Sequence, residues 1–171
     1  MNVIGVPSPG QRRLRPVVRM RGEWRAPALA GAAAFWLANL AISATPVAAA
    51  YRSAVGIAYV PMLAAAAAGG LVLGGAVAFL LVHHPAKIPG AGPLTKAVLL
   101  GAVALVVVTI GLELPAKLGS GADDPARWLL VATEFNVIRI LALSVTIGSV
   151  TGDGRPRRSR HRGRTRRETK T

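Results

Sequence analysis

The chain contains no cysteine in its 171 residues. That removes disulfides, thiolate nucleophiles and thiolate metal sites at once. Acidic residues are scarce as well, seven against 21 lysines and arginines, and no two of them form a paired-carboxylate motif for general acid–base work. Aromatic residues make up 5% of the chain, and none is interleaved with the arginine run at its C-terminus. Stacking on nucleic-acid bases is therefore not provided for, and any nucleic-acid binding is expected to be electrostatic and non-specific. Histidine occurs three times, twice as the neighbours His83 and His84. Adjacent residues on a helix point about 100° apart and no third ligand is close in sequence, so the pair suits the polar C-terminal end of a helix better than a metal. No glycine-rich phosphate loop of recognised spacing is present. An enzyme is not expected, nor a metal or a cofactor.

What the chain has in abundance is apolar sequence: 52% of residues are hydrophobic, only 16% are charged, and the mean hydropathy is +0.45. This is the composition of an integral membrane protein. The predicted fold is all-α, a four-transmembrane-helix up-down bundle with disordered basic termini. Spans are expected over about 27–45, 54–82, 97–114 and 127–150, flanked by a basic arm over 1–26 and an arginine-rich tail over 151–171. The second of these is too long for a ~30 Å hydrocarbon core at ~1.5 Å per residue, and Pro61 offers it a kink site. A row of small residues on that span, including Ala66, Gly70, Gly74 and Ala78, can admit a neighbouring helix at backbone contact, inside the monomer or in a homo-oligomer. Seventeen arginines against four lysines, with much alanine and glycine, resembles the style of small membrane proteins of high-GC actinobacteria. No family motif accompanies that style.

The stretch 127–150 organises the rest. Between Trp128 and Val150 lie twelve Leu, Ile, Val or Phe residues, each favouring insertion by roughly 0.3–0.6 kcal/mol at the bilayer centre. Glu134 and Arg139 oppose them at up to about 2.5–3.5 kcal/mol apiece. The sums nearly cancel, so the polar groups need partners on other helices. Asp124 suits the N-cap, Pro125 the first turn, Trp128 the interface and Gly152 the end of this helix. Counted from the helix ends, Asn39, Thr109 and Arg139 share a layer near mid-membrane, with Tyr59, Glu134 and Glu113 further out. Glu134 is expected to reach Tyr59 or another helix, and Arg139 to meet Asn136, Asn39 or Thr109. Together Glu134, Asn136, Arg139, Asn39, Tyr59, Thr109 and Glu113 form the candidate polar network. It serves either as a satisfied polar core that fixes helix register or as a water-accessible site opening outward.

Seventeen of the 21 basic residues fall in the N-terminal arm, the loop around 83–96 and the tail. Four spans place these three segments on one side, which the positive-inside rule makes the cytoplasm, with both termini inside. Arg155, Arg157, Arg158, Arg160, Arg162, Arg164, Arg166 and Arg167 are expected to hold the tail on anionic lipid at ~1 kcal/mol each; docking on an acidic protein is the other reading. The first span admits a rival interpretation as a signal peptide ending near Ala48-Ala49-Ala50, although its basic region is long for one. Cleavage there would leave three spans of unchanged sidedness. The leading functional expectation is a structural or accessory subunit of the inner membrane, packing as a homo-oligomer or in a larger membrane complex. The alternative is a small transporter or channel with a polar site in the outer half of the bundle.

Overall fold

The computed structural model describes residues 23–121 and 123–153. The basic arm up to residue 22 and the eight tail arginines expected to meet anionic lipid lie outside the described residues. Within them the chain is helical, with no strand. The elements are α1 (Arg25–Ser43), α2 (Pro46–Ala54), α3 (Tyr59–His83), α4 (Pro93–Val108), a π-helical turn (Thr109–Glu113), α5 (Leu114–Leu118) and α6 (Pro125–Asp153). Among the described residues, four helices are long and apolar enough to cross a membrane: Arg25–Ser43, Tyr59–His83, Pro93–Leu118 and Pro125–Gly152.

Local chemistry explains where these helices depart from the expected spans. The loop expected over 46–53 is helix α2, because Thr45 accepts a hydrogen bond from the Ala48 N–H at 3.2 Å while Pro46 occupies the first turn. Gly56, at φ 65°, takes a left-handed conformation that β-carbon sterics make costly for other residues, and there the chain turns before α3. The second span is thus shorter than expected. Pro61 falls in the first turn of α3, where its missing N–H leaves no intrahelical bond unmade, so it does not kink the span. The third helix is longer than expected, from Pro93 to Leu118, and runs through Pro115. The π turn immediately upstream accommodates the proline: its wider winding is closed by the Leu114 N–H donating to the Thr109 carbonyl. At the start of α6, Asp124 accepts from the Arg127 N–H at 3.0 Å; at the other end the helix continues through Gly152 to Asp153.

Packing follows the glycines. A β-carbon on Gly74 would lie 2.7 Å from the Ala28 carbonyl oxygen of α1, and one on Gly70 3.2 Å from that of Ala32. Gly31 of α1 opens onto Ile147 of α6 at 2.6 Å, and Gly148 of α6 onto the Leu94 Cα of α4 at the same separation. Gly101 of α4 faces Ser144. These missing β-carbons let the backbones approach closely. The helices therefore adjoin in the order α3, α1, α6, α4, while α3 and α4 meet only lightly although a single loop joins them. Contacts also fix direction. As α3 advances from Gly70 to Gly74, its α1 neighbours recede from Phe35 to Ala28; as α4 advances from Leu94 to Gly101, its α6 neighbours recede from Gly148 to Ile140.

The apolar core occupies the end of the bundle that holds the start of α1, the end of α6 and the loop after His83. Ala28, Val77, Ala78, Leu81, Leu143 and Ile147 fill it, with Leu143 and Ile147 fully buried. The Lys96 ammonium donates to the Pro85 carbonyl and pins that loop. His83 stacks on Phe79, ring centroids 4.3 Å apart, and its Nδ1 lies 3.0 Å from the Phe79 carbonyl oxygen. The opposite end, covered by α2, packs differently.

Candidate polar cavity

Under α2 lies a cavity of about 320 Å³. Its walls come from the last turns of α1 (Phe35, Asn39, Ile42, Ser43), the first half of α3 (Met62, Ala65, Ala66, Gly69, Leu73), the third helix (Val108, Leu112, Glu113) and α6 (Phe135, Asn136, Arg139, Ile140). Ala48, Tyr51 and Arg52 of α2 line it from above. The Arg52 guanidinium donates to the Ser43 carbonyl at 3.3 Å and lies 5.0 Å from the Tyr59 ring centroid, tying α2 to α1 and α3. Tyr51 meets Trp128 and Phe135 of α6 edge-on, at 6.0 and 5.8 Å between centroids.

The ionic centre is Glu113. One carboxylate oxygen accepts from Asn136 Nδ2 at 3.2 Å, and the other is 3.3 Å from the Lys117 ammonium, whose residue is only 5% exposed. That ammonium also sits 4.8 Å above the Tyr51 ring. Placing Glu113 at the end of the π turn and Lys117 four residues on puts both on one face of the helix. Burial pushes the Tyr51 phenol above its ordinary pKa, and Lys117 partly offsets the push.

Arg139 is the group left over. Its Nε donates to the Phe135 carbonyl at 3.1 Å, and its guanidinium carbon is 5.8 and 6.0 Å from the Phe35 and Phe135 ring centroids, at the outer limit of a cation–π contact. A guanidinium carries five N–H donors. The four on its terminal nitrogens have no acceptor among the described residues, and no carboxylate there lies within 4.0 Å. Beside it the Asn39 side chain is 2% exposed, and its Nδ2 also lacks a partner. A buried donor without an acceptor, such as the Asn39 amide, costs free energy, and the half-buried Arg139 has Glu113 only at longer range as a counter-charge. The cavity can therefore hold an acceptor-rich, negatively charged group.

Of the sequence-derived network, Asn39, Asn136, Arg139 and Glu113 converge on this cavity. Glu134 does not: it is exposed on the outer face of α6 and makes no hydrogen bond or ion pair among the described residues. Tyr59 is 45% exposed and meets Arg52 rather than Glu134. Thr109 opens the π turn with a buried, unpartnered hydroxyl, outside the cavity lining. Ala66, Gly70, Gly74 and Ala78 are buried, with the two glycines against α1. Lys117 and Tyr51 escaped the sequence reading. The four-residue spacing of Glu113 and Lys117 was a usable signal; Tyr51 gave none, since its segment read as a loop. No family model, curated protein or solved structure matches the chain.

Proposed function

We propose that this is a four-span up-down membrane protein, both termini cytoplasmic, that binds an anionic solute in a cavity in the outer half of the bundle. The observation that carries the reading is Arg139, a half-buried guanidinium whose terminal donors meet no protein acceptor among the described residues, in a cavity also lined by the buried and unpartnered Asn39 amide. Of the two membrane-traffic alternatives, the packing favours a transporter-type binding site over an open channel, because the cavity gives way below Ile140 to the buried Leu143 and Ile147. Binding is tested on the purified full chain. Anions should raise its thermal stability where uncharged analogues do not, and Arg139→Gln should abolish the rise. Equal stabilisation by charged and uncharged compounds, or an unchanged response in the variant, overturns the reading.

The topology has its own test. Because the chain has no cysteine, single cysteines report sidedness without background. Ser53→Cys, in α2, should react with a membrane-impermeant maleimide added outside intact cells, and Ala86→Cys, in the loop after α3, only after permeabilisation. Both positions are exposed. Reversed labelling inverts the protein, and labelling of both from outside removes a span.

A second reading, an accessory subunit of a homo-oligomer or larger complex, is favoured by Glu134. Its carboxylate stands among the exposed Leu130, Val137, Ile138 and Leu141 of α6, a face on which hydrocarbon offers no partner. A neighbouring helix bearing a donor would supply one. Gentle extraction of the tagged protein should then recover a second protein, or a homo-oligomer, at fixed stoichiometry, and Glu134→Leu should release it.

A further inference from the structure

The cavity has one apolar wall. Asn39, Asn136 and Arg139 gather on the α1–α6 side, Tyr51 and Arg52 lie above and Glu113 lies at the end of the π turn, whereas α3 presents Met62, Ala66 and Leu73, and the third helix adds Val108 and Leu112 beside Glu113. Its roof and its side also differ. Above, α2 crosses from α1 toward α3 and α6, held by the Arg52 bond to Ser43 and by Tyr51 between Trp128 and Phe135, so the route from the aqueous side is covered. Sideways, α3 and the third helix barely meet. There the lining residues Ala65 and Leu112 are exposed, Leu112 by 67%, and nothing lies within 4 Å of where a Gly69 β-carbon would stand. The mouth of the cavity is thus a cleft between two apolar helices, facing across the bundle rather than along it.

Size narrows the occupant. A volume of about 320 Å³ corresponds to about ten water molecules at ~30 Å³ each and lies at the lower end of small-molecule sites. It accommodates a compact head and a few methylenes, and the rest of a chain would lie in the cleft. Free charge is positive: both carboxylate oxygens of Glu113 are engaged, by Asn136 and Lys117, while the terminal nitrogens of Arg139 are not.

We propose that the cavity receives the head of a single-chain anionic amphiphile, a carboxylate or phosphate on a long alkyl chain, which enters sideways from the bilayer between α3 and the third helix. Arg139 and the Asn39 amide hold the head, and Leu112, Ala65 and Gly69 border the chain. This rests on the cavity being a solute site, and it adds the class of solute and the route.

The test uses the full chain in nanodiscs of zwitterionic phosphatidylcholine, with radiolabelled oleate, lysophosphatidate, oleyl alcohol, acetate and inorganic phosphate. Saturable binding of oleate or lysophosphatidate is expected, at least about tenfold tighter than that of oleyl alcohol and of the two chain-free anions. Which amphiphile binds tells carboxylate from phosphate. Arg139→Gln should weaken binding about tenfold or more. Should that variant fail to fold, Gly69→Leu, which fills the cleft away from the arginine, should weaken binding by a similar factor. If acetate or phosphate binds as well as the amphiphiles, the amphiphile inference falls and the anion site stands. Equal binding of oleyl alcohol and oleate, or unchanged affinity in Gly69→Leu, overturns the inference too. No saturable binding of any probe overturns both the inference and the site.

Discussion

Replacing Glu113 tests the ionic centre most directly. Its carboxylate is 3.3 Å from the Lys117 ammonium and accepts from Asn136 at 3.2 Å, with side-chain exposures of 22% for Glu113 and 5% for Lys117. At an effective dielectric constant of about 20, the direct attraction at this separation is about 5 kcal/mol before desolvation is subtracted. Breaking a fully buried pair costs about 3–5 kcal/mol; the part-exposed carboxylate brings the expected loss in Glu113→Gln down to about 2–3 kcal/mol. Lys117→Met should cost less. It leaves the carboxylate hydrogen-bonded to Asn136 and still within the field of Arg139, whereas Glu113→Gln leaves a buried ammonium with neutral Tyr51, its ring and its hydroxyl, and no carboxylate within 4.0 Å among the described residues. The double variant should accordingly be more stable than Glu113→Gln alone, with a coupling energy of about 2 kcal/mol. The four proteins would be unfolded in mixed micelles by a denaturing detergent, with helicity followed by circular dichroism. A coupling below about 0.5 kcal/mol, or a double variant less stable than Glu113→Gln, would refute the reasoning.

Gly74→Ala and Gly148→Ala should each cost about 1–3 kcal/mol, because the new β-carbon meets backbone at 2.7 and 2.6 Å. Gly69→Ala, with open space around it, should instead be neutral or stabilising by up to ~1 kcal/mol; the same unfolding measurement ranks the three, and equal effects would sink the packing account. At alkaline pH, the Tyr51 phenol, raised by burial, favours the folded state fully below the unfolded phenol's pKa of about 10. That contribution is lost as pH rises through the higher folded value. Phenolate absorbance should therefore show a late ionisation accompanied by loss of helicity, absent in Tyr51→Phe; its persistence in that variant would assign it elsewhere.

Helical class and the number of long apolar helices were legible in the sequence because a run of hydrophobic residues is a local property. No partner helix is needed to see that 127–150 is long enough to span, or that Asp124 and Pro125 begin it. Misplaced boundaries trace to prolines read by type rather than position. Pro46 starts a helix after Thr45, Pro61 sits harmlessly in a first turn, and Pro115 is passed with the help of a π turn. Each outcome depends on which carbonyl would have lacked its donor, and that is settled only once the helix register is known.

The sequence by itself determined that Arg139, Asn136 and Asn39 must find company, since charged and amide groups in an apolar helix cannot be left to hydrocarbon. Which company they find was decided in three dimensions. Glu134, already set about 140° from Arg139 by the ~100° per residue of a helix, meets neither Tyr59 nor another helix among the described residues, while Glu113, remote in sequence, is carried inward by the π turn to Asn136 and Lys117, and Arg139 and the Asn39 amide keep donors without a protein acceptor there. The helix order came from pairs such as Gly74 with Ala28 and Gly148 with Leu94, because close approach requires a missing β-carbon to meet a suitable backbone. A sequence lists the glycines; only the packed chain supplies the backbone each one faces.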